Sequence, residues 1–244
     1  MTTLYYQNIL PAAGSVTSVS SEQADRPAKS VIVESTKLIW MAGVKTSPAQ
    51  ITLDIGAAGN YYIGVANLYR PTGVAVTLES ASDADFTADY TSENVTSDPF
   101  IVYKAGVRYL RVAFTKEGGF ADYPFLGLIF AFTSKLDLSR DFILPLTRGF
   151  DSKSAAEISA SGVYSGRQYY SLRTYKLSFR GLSDTDISGI TSLFSVSGIV
   201  RPFYLQAPVI GGFICRLKEP PALPLLYHAD SAGYSEAELS IIEV

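Results

Sequence analysis

TYKLSFRGLSDTDISGITSLFSVSGIVRPFYLQ, Thr174 to Gln206, changes its period twice. Its opening alternates, with Tyr175, Leu177 and Phe179 on one side and Thr174, Lys176 and Ser178 on the other, as a half-buried strand does. Ser183 then offers an N-cap. Asp186 three residues later completes a capping-box pattern, with Asp where Glu or Gln is usual. Ile187, Ile190, Leu193 and Phe194 recur at helical spacing, and Gly198 offers a left-handed stop. The pattern predicts a helix over about residues 184–196, too short to hold by propensity alone and therefore packed on a sheet. A strand resumes at RPFYLQ.

The chain around this helix is dominated by strand signals. QITLDIG (Gln50 to Gly56) alternates and stops at glycine, and YYIGVANL, GVAVTLESA, PFIVYKA and VRYLRVAF repeat the theme between Gly, Pro, Asn and Asp. In VRYLRVAF, Leu110, Val112 and Phe114 form the expected inward set. The fold class is mainly all-β: an N-terminal β-sandwich or jelly roll over 1–135, then a β-barrel-like unit with one short helix over 136–244. Composition shifts after Phe132 towards Ser, Gly and Arg, and about residues 146–168 read as an extended arm, long for a loop in a compact domain.

Charged residues are 18% of the chain and the formal net charge is −3, so nothing marks it for nucleic acid or an anionic membrane. Cys215 stands alone, which excludes an intrachain disulfide and fits assembly in a reducing compartment. The first residues lack the basic and apolar regions of a signal peptide. The longest apolar run, YPFLGLIFAF, is too short to span a bilayer as a helix.

Little in the sequence carries chemistry. His228 is the single histidine, so any Ser-His-Asp arrangement must pass through LPLLYHADSAGY. Cys215 and His228 are too few for a zinc site. Asp83, Asp85, Asp89 and Glu93 gather acidic ligands without the order of an EF-hand and read as a polar loop. No glycine motif has the strand-to-helix phosphate pattern. The expectation is no catalytic residue, no cofactor and no metal. A depolymerase using two carboxylates is the enzymatic rival. Two aromatic groups stand out. Trp40 and Tyr123 are candidate sugar contacts, with core packing the competing role for Trp40. Tyr164, Tyr169 and Tyr170, with Arg148 and Arg167, form the kind of Tyr/Arg cluster enriched at subunit interfaces.

Two family resemblances rest on ordered motifs. From about Ser20 to Phe132, the run RPAKSVIVESTKLIWMAG, AQITLDIG, VRYLRVAF, FLGLIFAF resembles discoidin-type, galactose-binding-like jelly rolls, with Trp40, Asp54, Gly56, Arg108, Tyr109 and Arg111 at the matching positions. From about Leu136 onward, LDLSRDFILPLTRGFD, then the stretch quoted first, resembles distal-tail and tail-tip proteins of long-tailed bacteriophages. Arg148, Gly149, Leu177, Phe179, Leu182, Phe194, Gly198, Pro202 and Phe203 carry that likeness.

The second resemblance implies a virion structural protein of the tail tip or baseplate, assembled in the bacterial cytoplasm. It would form a homo-oligomeric ring, six-fold in preference to three-fold, joining the tail tube to hub, fibre and receptor-binding components. The first implies an alternative, a carbohydrate-binding module that contacts host glycan.

Overall fold

The computed structural model describes residues 1–34, 38–144, 146–158, 164–223 and 235–244, without the side chains of 152–158, 164–171 and 235. In chain order the elements are β1 (Thr3–Asn8), α1 (Leu10–Ala13), β2 (Ser15–Val19), β3 (Trp40–Met41), β4 (Ala49–Tyr69), β5 (Ala75–Ala81), β6 (Thr91–Asn94), β7 (Phe100–Thr115) and β8 (Phe125–Asp137). There follow β9 (Thr147–Ile158), β10 (Tyr164–Leu182), α2 (Asp184–Ser197), β11 (Phe203–Ala207), β12 (Gly211–Leu217) and β13 (Ser235–Glu243). The fold is all-β, with two α-helices and a 3₁₀ helix (Ala28–Ile32) among the described residues. The chain divides into two compact units, Tyr5–Lys135 and a second made of Met1–Leu4 with Leu136–Val244.

In the Tyr5–Lys135 unit the antiparallel order is β6-β5-β7-β4-β8, with β2 added to β4 and β3 to β8. Two segments expected as separate strands are one: β4 runs on through Gly56 to Asn60, and β7 joins PFIVYKA to VRYLRVAF. Their ladder slips between Asp54 and Tyr61, and such bulges bend a long strand around a core where a flat sheet would leave one face bare. Ile51, Leu53, Ile55, Ile63 and Val65 of β4 all reach that core, as do Leu110, Val112 and Phe114 of β7, the expected inward set. At Gly64 a Cβ would strike the Phe100 carbonyl oxygen and the Phe130 ring, so only glycine lets the neighbouring strands close here.

In the second unit the order is β11-β12-β13-β10-β9. Tyr175, Leu177 and Phe179 are buried and Lys176, Ser178 and Arg180 exposed, as the alternation required. Opposite the buried face, Lys176 pairs with Glu238 at 2.7 Å and Arg180 with Glu236 at 2.8 Å, while Arg173, in the alternation of the buried residues at the end of the ladder, pairs with Glu243 at 2.6 Å. Every base lies on β10 and every acid on β13, a ladder that favours this antiparallel pairing.

α2 has the predicted capping box. Ser183 accepts from the Asp186 N–H at 3.2 Å, and the Asp186 carboxylate accepts from the Ser183 N–H at 2.9 Å. Ile190 and Leu193 are buried, and the helix packs on β10 and β13. Gly198, at φ 55°, closes it by donating to the Phe194 carbonyl.

Candidate functional site

The segment predicted as an extended arm lies in a β-hairpin, because the backbone groups of β9 find their hydrogen-bond partners in β10. β9 and β10 pair antiparallel from Lys176↔Thr147 out to Tyr164↔Ile158, with a register slip at Tyr169. Arg148 is exposed, pairs in register with Tyr175 and holds its guanidinium 5.8 Å from that ring. Tyr164 and Arg167 take register positions opposite Ile158 and Ala155, Tyr170 lies opposite Lys153, and Tyr169 is the bulged residue. The side chains of these four lie outside the described residues. Among the described residues no strand pairs with the other side of β9, and Phe150 on it is 74% exposed. A long strand edge with free N–H and C=O groups is a template for another chain. Nothing in the sequence marks Phe150, because only the pairing order reveals that its strand is outermost.

The candidate sugar contacts separate. Trp40 is fully buried, its indole N–H donates to the Ser21 carbonyl at 3.0 Å, and its ring centre lies 6.0 Å from that of Phe114. It is a core residue with no face for a ligand, which corrects its candidacy as a glycan contact. Tyr123 remains at the surface, with the Lys45 ammonium 4.9 Å above its ring. Beside it, where β4 ends and β8 begins, Tyr69 and Phe125 are register partners whose rings stack at 5.1 Å and 20°. The Tyr69 hydroxyl donates to Asp122 at 3.3 Å, and Asp122 also accepts from the Tyr123 N–H at 2.8 Å. Lys45 donates to the Ala121 carbonyl at 2.9 Å. Desolvation, then the nearby Asp122 charge, raises the Tyr69 phenol above its ordinary range, so it stays a donor. Aromatic faces, a carboxylate and an ammonium thus converge on one rim. The sequence pointed to Tyr123 alone, since strand-end residues do not disclose which face stays open.

The other positions of the jelly-roll resemblance are structural. Arg108 holds Asp54 in a fork, Nε to Oδ1 at 3.1 Å and a terminal nitrogen to Oδ2 at 3.0 Å, and Asp54 also accepts from the Gly56 N–H at 2.8 Å. Arg108 keeps the Asp54 carboxyl below the usual range, against the opposing effect of burial. Arg111 pairs with Glu79 and lies 4.2 Å from the Phe86 ring centre. Asp83 caps its own loop, accepting from Thr87 N–H at 3.0 Å and Ala88 N–H at 2.8 Å, which accounts for one acid of the Asp83–Glu93 run. Among the described residues no group of His, Cys, Asp or Glu could hold a metal, and no helix is long and apolar enough to cross a membrane. His228 lies outside the described residues.

No family model matches the chain, and no curated protein does. Solved structures similar to it include a Streptococcus pneumoniae fucose binding module, at 13% identity over 52% of this chain and 96% of that one, with a TM-score of 0.42. A chitosan-binding module from a Paenibacillus sp. IK-5 chitosanase/glucanase matches at 18% identity over 52% and 98%, with a TM-score of 0.40. A family 32 carbohydrate-binding module from C. perfringens in complex with galactose matches at 11% over 54% and 99%, with a TM-score of 0.38. The chain is thus similar to carbohydrate-binding modules over about half its length, at values that assign it no ligand and no site.

Proposed function

We propose that this chain is a non-enzymatic structural subunit that works in a homo-oligomer, of the tail-tip or baseplate kind. The observation that carries the reading is β9: a twelve-residue outer strand, unpaired on one side among the described residues, with Phe150 74% exposed on it. Such an edge is a liability in a monomer and an asset in an assembly. The residues that carry the likeness to distal-tail proteins run in order from Arg148 on β9 through Leu177 on β10 and Phe194 on α2 to Phe203 on β11. In this reading the subunit forms a ring in the virion tail tip, six-fold by preference, and docks tube, hub and fibre proteins. Light scattering and electron microscopy of the purified full chain test it. A discrete ring of six or three copies is the expected result, and a monomer at high concentration overturns it.

A second reading is favoured by the rim of Tyr69, Phe125, Asp122, Tyr123 and Lys45. Stacked aromatic faces beside a carboxylate and an ammonium suit a sugar, whose apolar face stacks and whose hydroxyls hydrogen-bond. The Tyr5–Lys135 unit would then contact host surface glycan while the other unit assembles. A glycan array tests this, with binding expected for the native chain and lost in Tyr69→Ala. No binding to any bacterial surface glycan overturns it.

A further inference from the structure

We infer that the open side of β9 is completed by β9 of a second copy of this chain, running antiparallel about a two-fold axis at Ser152. The inference rests on the reading of the chain as an assembling subunit and names the partner of its outer strand; a two-fold contact joins copies in pairs, so it fits an assembly with an even number of copies, six and not three, whose ring closes through other surfaces.

β9 keeps an unbroken alternation over its twelve residues, since the bulge in its hairpin falls on β10 at Tyr169. The other strands with a single partner among the described residues, β2, β3 and β6, have five, two and four residues and would each cover only a fraction of that length. Another β9 covers nearly all of it. A two-fold axis normal to a sheet leaves each face on its own side, so residues lying opposite each other must share a face. The axis must therefore pass at a residue and not between two.

The charges along TRGFDSKSAAEI and the length that is paired together choose which residue, since centring on Phe150 opposes no like charges but leaves Ser154 to Ile158 without a partner. Centring on Asp151 sets Asp opposite Asp, and centring on Lys153 sets Lys opposite Lys. Centring on Ser154 sets Asp151 opposite Glu157. All three oppose like charges. Centring on Ala155 sets Lys153 opposite Glu157, but leaves Thr147 to Asp151 without a partner. Centring on Ser152 sets Asp151 opposite Lys153 of the second copy, and by symmetry Lys153 opposite its Asp151. It pairs the strand from Thr147 to Glu157. Phe150 takes a register position opposite Ser154 of the second copy, inside a continued sheet and no longer on its rim. Each partner's free N–H and C=O groups are satisfied by the other, the strand-addition mode of recognition.

The test uses single cysteines in the full chain, whose native Cys215 is buried. At the axis, Ser152 of one copy faces Ser152 of the other with Cα atoms about 5 Å apart, within disulfide range. Ser152→Cys is expected to cross-link to a covalent dimer under mild oxidation. Thr147→Cys is expected to remain uncross-linked, because its two copies lie at opposite ends, roughly 30 Å apart. Lys153→Asp is expected to weaken self-association about tenfold in sedimentation, and the exchange Asp151→Lys with Lys153→Asp to restore it. An oligomer whose Ser152→Cys form cross-links no better than Thr147→Cys, or whose affinity Lys153→Asp leaves unchanged, overturns the β9 pairing and leaves the assembly reading standing. A chain that stays monomeric at all concentrations overturns both.

Discussion

Ser139 and Asp186, 47 residues apart, are joined by two hydrogen bonds: the Ser139 N–H donates to Asp186 Oδ1 at 3.0 Å and the Ser139 hydroxyl donates to Oδ2. The same carboxylate accepts from the Ser183 N–H and hydroxyl, at 2.9 and 2.8 Å. One side chain therefore caps α2 and anchors the segment after β8. All its partners are donors, so it must be an ionised acceptor. Asp186→Asn places an amide N–H₂ against donors and is expected to cost about 1–3 kcal/mol, read as a drop in denaturant midpoint.

The same carboxylate makes the second unit sensitive to acid. Burial pushes the Asp186 carboxyl up, but the hydrogen bonds from Ser139 and Ser183 outweigh it, and the net position is below the ordinary value of 3.8. A depressed carboxyl stabilises fully above its unfolded pKa and loses that contribution as pH falls through the folded one. Stability is expected to decline below pH 3.8 in the native chain. Asp186→Asn is expected to flatten that part of the profile in chemical denaturation followed against pH.

Trp40 is expected to act through folding and not through ligand contact. Truncation to Ala removes a fully buried indole and its hydrogen bond to Ser21, at a cost of about 3–5 kcal/mol. Calorimetry should show the transition of the Tyr5–Lys135 unit falling. Tyr69→Ala, at a residue 38% exposed, should leave that transition nearly unchanged.

The Arg173–Glu243 pair, with side chains 61% and 24% exposed, is expected to matter for register more than for stability. Arg173→Gln should lose at most about 1 kcal/mol once solvent screening is allowed for. Molar salt should erase most of that difference in parallel melts.

Cys215 is fully buried, and burial, reinforced by the Glu243 charge, lifts its thiol well above the ordinary value. A neutral, inaccessible thiol is inert. A chromogenic thiol reagent is expected to label it only as the chain unfolds, so the labelling rate reports opening of the second unit. Rapid labelling under native conditions would contradict this.

What the sequence determined by itself is local. Alternation placed Leu110, Val112 and Phe114 inward, and Tyr175, Leu177 and Phe179 likewise, because a strand's faces follow from a period of two residues. The capping box at Ser183 and the stop at Gly198 placed α2, because a helix end is settled within a few residues of itself. The short helix α1 escaped, four residues with Pro11 in its first turn and no apolar period long enough to read.

Tertiary structure alone decided the rest. The joining of β4 and of β7 across glycines, the folding of the arm into a hairpin, and the outermost place of β9 all depend on which distant strands pair. So does the reach of Asp186 to Ser139, which adds to a local cap a contact the cap does not predict. Trp40 and Tyr123 were both candidates as aromatic residues; one is enclosed and the other half-buried at the surface because burial depends on what the whole chain lays over each position.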